Sequence, residues 1–447
     1  MELPIYTFLL LLLLGFFFIV NFRLLLSYKY WPLMFLFFYA YSLPLLSNLA
    51  LEYGFYIIEQ ERYSFFTGST LRLYMYVSIF FLSAFLSTKL FNSLAIPKQG
   101  KFPQLPFSKR LNHGILPLLY IAALIEALLY INLLLSPIPL FSESINRFNY
   151  WEHAKFPILR NFFGSIALPL AIIFGVYYLF SYVHHLPKLK RFVQLLFVLY
   201  IVYLYLIGHK FSPQFLAVYF FFLPLWIYKI KMKTPLISKK TAFKLLVIIV
   251  AALLFILYQY QFAGVSSLYG GAILGMLYRI FVLQGHVYWG IDELVFIEKK
   301  YGVEYLLDFF SNKLDGLLTI MYIIGPSNLQ WYLDHNVRFT AGYPALAVLF
   351  NPYYAVLLQI IFGFITGLLV IYTYNKIVNL EIYKSIASLL LLFNLYYGLS
   401  MADFRFVYSP KFLIPLIYLL LIAFITSYQK LIRSLGNVNS KCNYSNP

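Results

Sequence analysis

The sequence predicts an all-α polytopic membrane protein, and three observations carry that reading. Of the 447 residues, 62% are hydrophobic, against roughly 45–50% in an ordinary soluble domain. Only 11% are charged, where a soluble surface needs roughly 25%. Apolar runs close to the ~20 residues that cross a hydrocarbon core recur along the whole chain. A soluble enzyme, a disordered chain and a disulfide-stapled secreted domain are excluded together, the last also because Cys442 is the single cysteine.

Taken in order, the runs are 4–22, 31–51, 71–88, 115–135, 161–183, 192–207, 213–228, 245–262, 346–374, 385–401 and 411–428. That is about 11 spans, within a range of roughly 10 to 14. The first carries Glu2 in place of a basic region and no small-residue cleavage pattern, so it reads as a spanning helix and not as a signal peptide. Runs 192–207 and 213–228 are short, and Gly208-His-Lys-Phe-Ser212 between them is a candidate hairpin turn. Segment 271–284 is apolar but too short to span, and Arg279 interrupts it. The 42 Tyr and 47 Phe fit aromatic belts at the membrane boundaries, and a biased genome gives the same excess.

Alternation of spans divides the connections into two sets. The set 23–30, 89–114, 184–191, 229–244, 375–384 and the tail from 429 holds 21 of the 34 Lys+Arg and a single acid, Glu381. The other connections hold the remaining 13 Lys+Arg and 14 acids, leaving Glu126 inside a span. Net charges of +20 and −1 assign the first set to the cytoplasm by the positive-inside rule, with the N-terminus outside and the C-terminus cytoplasmic. The overall +18 is thereby an orientation signal, and no nucleic-acid partner is expected.

The organisation expected is an N-terminal transmembrane bundle of about eight helices over 1–262, a long external loop over 263–345, C-terminal transmembrane helices over 346–428 and a cytoplasmic tail over 429–447. A structureless loop that long is uncommon and usually functional. Within it Leu306, Phe310, Leu314 and Leu317 recur at helical spacing with Asp308, Ser311, Asn312 and Asp315 between them. That pattern predicts an amphipathic helix suited to the membrane surface.

No nucleotide-binding Gly-rich loop, zinc-ligand spacing or nucleophile elbow is present in the sequence. Chemistry then falls to individual polar residues at the outer boundary. Arg147, His153, Lys155 and Arg160 lie in one external loop with Phe148, Tyr150 and Trp151. They suit a phosphate or diphosphate, the aromatics suit sugar rings or headgroups, and interfacial snorkelling accounts for the same cations. His209-Lys210 caps the tight turn. Arg279, in an apolar stretch, needs a partner or an anionic ligand, and His286 follows it. Asp334-His335 and Arg338 precede the next span. His335 oriented by Asp334 has the chemistry of a general base, and a solvated loop end is the plain alternative. Asp403 and Arg405 form an ion pair across a turn or contact a substrate. Glu126 is a functional acid or a hydrogen-bonding residue between helices.

With these residues and Thr340-Ala-Gly-Tyr-Pro-Ala-Leu-Ala-Val-Leu-Phe-Asn-Pro352 leading into Phe362-Gly-Phe-Ile-Thr-Gly367, the chain resembles the O-antigen polymerases. These are the Wzy-type oligosaccharide repeat-unit polymerases, GT-C-like membrane glycosyltransferases. Some members carry an Arg, ten residues and then Gly in an external loop, and Arg279 and Gly290 match that spacing.

The resemblance implies polymerisation of undecaprenyl-diphosphate-linked oligosaccharides on the outer face of the bacterial inner membrane, without metal or nucleotide cofactor. It implies His335 as general base and Arg279 and Arg338 as catalytic arginines neutralising the diphosphate leaving group. Arg147, His153, Arg160, Lys210, His286, Asp334 and Arg405 are the implied substrate contacts. Membrane lipids, and a chain-length regulator in the same membrane, are the further partners it suggests. The rival readings are a lipid-linked-oligosaccharide flippase and a glycosyltransferase using a polyprenyl-phosphate sugar. The latter class uses paired acids near an early external loop, for which Glu59 and Glu61 are the sequence's candidates.

Overall fold

The computed structural model describes residues 29–55, 67–95, 116–142, 150–159, 167–209, 211–235, 271–302, 316–328, 343–401 and 409–442, with a few single positions besides. Among them every regular element is helical. In chain order the first are α1 (Trp31–Glu52), α2 (Ser69–Ala95), α3 (Pro117–Leu134), α4 (Ala167–Val183), α5 (Pro187–Leu206) and α6 (Phe211–Lys231). Then come α7 (Ala272–Phe281), α8 (His286–Asp292) running into a π turn at Glu293–Ile297, α9 (Gly316–Ile324), α10 (Tyr343–Phe350), α11 (Pro352–Val378), α12 (Ile382–Met401) and α13 (Pro410–Cys442).

Seven of the described helices, α1, α2, α3, α5, α6, α11 and α12, are long and apolar enough to cross a membrane, and α4 and the first half of α13 are shorter apolar helices. Nine of the expected spans thus fall on described helices. Runs 4–22 and 245–262 lie outside the described residues. The run expected at 346–374 is two helices, not one. Asn351 caps α11, its Oδ1 accepting the amides of Tyr353 (2.8 Å) and Tyr354 (3.3 Å), and Pro352 occupies the first helical position. That pairing of cap and proline starts a helix wherever it stands, however apolar the flanks.

The tightest seam joins α2 to α11, which run parallel. Tyr76 donates to the Pro352 carbonyl (3.1 Å) and Ser83 to the Ile360 carbonyl (2.6 Å). Gly363 and Gly367, four residues apart, face this seam. A Cβ on Gly363 would strike the Phe80 carbonyl and stand 3.0 Å from the Ser83 Cβ, and one on Gly367 would strike Ser87 and Ala84. Small residues at this spacing let two backbones approach where lipid supplies no hydrophobic drive.

The bundle sorts its charges by end. At one end Lys29 lies over the rings of Tyr30 (4.7 Å) and Tyr374 (5.7 Å). There too Glu381 accepts from Lys376 (2.8 Å) and Lys384 (2.6 Å). These residues belong to the connections that the charge rule assigns to the cytoplasm. Glu52, Arg72 and Asp292 gather at the other end.

Burial raises the Glu381 carboxyl, but the two lysines outweigh it and hold the group below its ordinary 4.5. A depressed folded value gives stability that is present above the unfolded value and lost as pH falls through the folded one. Glu381→Gln is therefore expected to cost about 1 kcal/mol at neutral pH. The two proteins' melting temperatures should converge as the pH drops well below 4.5. A gap that persists in acid would show that the ion pairs are not its cause.

The described parts of the long loop do not lie on the bundle but pack into it. Val287, Tyr288, Ile291, Leu294, Ile320, Met321 and Ile324 are buried in the main core with residues of α1, α2 and α12. α7 keeps an outward apolar side, at Ile273, Leu274 and Leu277. The amphipathic helix expected over 306–317 falls mostly outside the described residues, with α9 beginning at Gly316.

Candidate functional site

The site is built where α8 meets the outer-end tips of α1 and α2. Pro44 interrupts α1, and one turn later Ser47 holds the incoming segment. Its Oγ donates to the Val282 carbonyl and accepts the Gly285 amide (2.6 Å). Gly285 lies so close to α1 that a Cβ would stand 2.5 Å from the Asn48 nitrogen and 2.8 Å from the Pro44 carbonyl. His286 follows, buried, its Nδ1 2.5 Å from the Leu283 carbonyl oxygen. Six residues beyond His286, Asp292 ends α8 with a side chain closed to solvent.

Asp292 receives Arg72 in a two-pronged ion pair, Nε to Oδ1 at 2.8 Å and Nη2 to Oδ2 at 2.5 Å. The same Nη2 donates to the Thr67 carbonyl (2.5 Å), and the guanidinium lies 4.4 Å from the Phe296 ring centre. Planarity and a fixed fork of donors suit arginine to this role. Glu52, closing α1, is buried with its carboxyl facing the first backbone amides of α2 at Ser69 and Thr70 and, across the cluster, Asp292. Asn48 donates to Ser69 (2.9 Å) behind it. The Tyr288 hydroxyl is buried near Asp292.

Burial raises the Asp292 carboxyl above its ordinary range, and Arg72 offsets part of that. Burial likewise carries the Tyr288 hydroxyl far above its usual value, so it remains a proton donor. Two buried carboxyls, one guanidinium and a phenol thus lie near one another at this end of the bundle. Such perturbed groups beside a cleft mark functional sites more often than chance.

The cleft itself is narrow, about 20 Å³ inside its open mouth, and is lined by Phe37, Tyr41, Leu73, Tyr288, Tyr396 and Ser400 among others. Tyr288 joins it to the ion pair. The Tyr41 hydroxyl, buried in its wall, has no hydrogen-bond partner among the described residues. The cleft thus offers aromatic faces, an unsatisfied hydroxyl and, at one side, the acid group.

The residues singled out from sequence fall differently. Arg147, Arg160, Lys210, Asp334, His335, Arg338 and Arg405 lie outside the described residues. Arg279 sits in the third turn of α7, with its side chain outside the description, and Gly290, separated from it by ten residues, packs in α8 with a would-be Cβ 3.2 Å from Ile324. His153 is exposed at the end of a single helical turn, Tyr150–His153. That turn is pinned to α3. Asn132 donates to the Tyr150 hydroxyl (3.2 Å) and accepts the Phe156 amide (2.9 Å), and Ser136 accepts the Lys155 amide (2.8 Å). Tyr150 is fully buried, which removes it from the aromatics available to a sugar.

Glu126 is buried within α3, its carboxyl oxygens without hydrogen-bond partners among the described residues and near Tyr130 and Tyr200. Among the described residues no group of His, Cys, Asp and Glu has the arrangement of a metal site.

Arg72, Asp292, Glu52 and Tyr288 escaped the sequence reading, though two signals were present. Arg72 is the second residue of an otherwise apolar run, and Asp292 is the first acid after Glu152.

Fold and site together define a helical polytopic membrane protein with a buried acid–arginine cluster beside a cleft between helices. Residues 311–416, from just before α9 into α13, match a family of unknown function, DUF6418. No curated protein and no solved structure matches the chain.

Proposed function

We propose that the protein polymerises oligosaccharide units carried on undecaprenyl diphosphate, at the outer face of a bacterial inner membrane. The observation that supports this reading is the carboxyl pair Glu52 and Asp292 at the side of an aromatic cleft. The cleft lies at the end of the bundle that the charge rule assigns to the outside. A sugar entering the mouth of the cleft stacks its C–H face on the Tyr396 ring, which is only partly buried. An acceptor hydroxyl attacks the anomeric carbon of the donor, and the bond to the diphosphate breaks with its electron pair leaving on the phosphate oxygen.

The proton goes to a base. His335 is the base that the resemblance supplies, and Glu52 is the nearby carboxyl not engaged by arginine. Asp292, tied to Arg72, is a positioning residue. Fixed positive charge from Arg279 and Arg338 stabilises the departing diphosphate, with Arg147, His153, Arg160, Lys210 and Arg405 along the substrate's path.

The test is incubation of the purified protein in nanodiscs with an undecaprenyl-diphosphate oligosaccharide and separation of the products by size. A ladder of multiples is expected. Glu52→Gln is expected to slow it by about 10²–10⁴-fold if the carboxyl serves as base, and Arg279→Ala with Arg338→Ala to reduce it further. Absence of any product longer than the substrate would overturn the reading. The Glu52–Asp292 pair also favours a second reading, transfer of one sugar from a polyprenyl-monophosphate donor, which predicts a single added sugar with that donor and no ladder.

A further inference from the structure

The connection between α3 and α4 turns back on itself. The chain leaves α3 after Leu134, makes a 3₁₀ turn at Pro139–Phe141 and forms the single helical turn Tyr150–His153. Two bonds then fix its depth. The Lys155 amide donates to Ser136 Oγ (2.8 Å) and the Phe156 amide to Asn132 Oδ1 (2.9 Å). Asn132 belongs to the last turn of α3, so Phe156 stands level with the helix and not above it. The 18 residues of α3 rise about 27 Å at roughly 1.5 Å each, close to the ~30 Å of a hydrocarbon core. The last turn, and Phe156 with it, therefore lies at the lipid boundary of the end that the charge rule assigns to the outside.

Apolar side chains at this level are open. Leu134 is 71% exposed, Ile158 62% and Phe156 43%, with Leu135 exposed beside them and Phe141, on the 3₁₀ turn, at 77%. Water is a poor medium for so many apolar groups in one short piece, and exposed apolar surface of this kind marks an interaction site.

What covers the surface follows from what it continues. Ile121, Leu124, Ile131 and Leu134 recur at helical spacing as the exposed side of α3, the side that a spanning helix turns to lipid. Asn132 and Ser136, one turn apart, stand on the flank of α3 next to that strip. The piece they hold extends the strip sideways at the same depth.

The charged groups agree with a lipid boundary. Tyr150 and Ala154 are buried against the bundle, while Glu152, His153 and Lys155 are exposed. Lys155 adjoins Phe156, an arrangement in which the ammonium reaches headgroup phosphates while its stem lies along apolar chains.

We propose that this connection is a membrane-interface element, its Leu134, Leu135, Phe141, Phe156 and Ile158 contacting the acyl chains of the outer-end leaflet and Lys155 its headgroup phosphates. The partner is the lipid surface itself. The contact is separate from the cleft and independent of the reaction proposed there.

The experiment uses the full chain with Cys442→Ser, so that one introduced cysteine carries a polarity-sensitive fluorescent label, in vesicles of phosphatidylglycerol and phosphatidylethanolamine. Phe141→Cys, Phe156→Cys and Ile158→Cys are compared with Lys300→Cys, at an exposed position of another connection assigned to the same side. Labels at the first three positions are expected to emit to the blue and to be quenched by phospholipids bearing a nitroxide high on the acyl chain. The label in place of Lys300 is expected to be quenched by aqueous iodide instead. Labels in place of Phe156 and Ile158 that behave like the one in place of Lys300 would overturn the proposal.

A second measurement needs no substitution. The unaltered protein is irradiated in vesicles holding a phospholipid with a diazirine on its acyl chain, and the modified peptides are identified by mass spectrometry. Lipid adducts on Phe156 or Ile158 are expected, and adducts confined to the spanning helices would refute the contact. Cross-linking of the introduced cysteines between two copies, with no quenching by lipid, would assign the surface to a second copy of the chain and overturn the proposal as well.

Discussion

Asp292→Ala is expected to lower the stability of the protein by about 3–5 kcal/mol, because it leaves a partly buried guanidinium without its counter-ion. The Asp292 side chain is fully enclosed and Arg72 is only 27% exposed, so water replaces the lost carboxylate only in part. The remaining contacts of Arg72, the Thr67 carbonyl and the Phe296 ring, carry no opposite charge. Thermal unfolding in detergent measures the loss. The double replacement Arg72→Leu with Asp292→Leu is expected to recover most of it, since exchanging both members of a buried pair for apolar residues is often neutral. It should not recover polymer formation. A double variant that is stable and fully active would reduce the ion pair to a structural tie and remove it from the proposed site.

Gly285→Ala is the second large effect, and it acts on the site through the backbone. The added methyl would meet the Asn48 nitrogen at 2.5 Å and the Pro44 carbonyl at 2.8 Å. Neither atom can swing aside as a flexible side-chain end would, so the 282–292 segment must lift from α1. The Ser47 bonds to Gly285 and Val282 would break, and Asp292 would be drawn away from Arg72. A destabilisation of about 2–4 kcal/mol is expected, in the range of an overpacked core position, with activity lost while the spanning helices stay assembled. Hydrogen exchange resolves the two. Faster exchange confined to 282–297 supports the account, and unchanged protection there refutes it.

The spanning helices were legible because each repeats one simple requirement, an apolar run of the right length. The division of cations was equally plain, and the contacts of Lys29, Lys190, Lys229 and Lys376 gather those same connections at one end. The break at Asn351-Pro352 was written in the sequence as a cap followed by proline, but the apolar residues on both sides hid it inside one long run.

The candidate site was not legible for a different reason. Arg72 and Asp292 stand 220 positions apart, and nothing local distinguishes either from a charge at a helix boundary. Their meaning comes from the descent of α8 into the bundle, which depends on the missing side chain of Gly285 and the proline at 44. Glu52 was read as part of a loop because it lies one residue past the apolar run, while the helix in fact includes it.

The seam between α2 and α11 has a consequence for how the protein is made. Its partners, such as Tyr76 and Pro352, are 276 positions apart, and membrane helices enter the bilayer in order of synthesis. During most of translation α2 sits in lipid with the groove beside Phe80, Ser83 and Ala84 unfilled, since only Gly363 and Gly367 fit it so closely. The closest helix pairing in the bundle is thus among the last to form. A nascent chain halted before α11 exposes that groove, and the quality-control machinery of the membrane would meet it as an unfinished product.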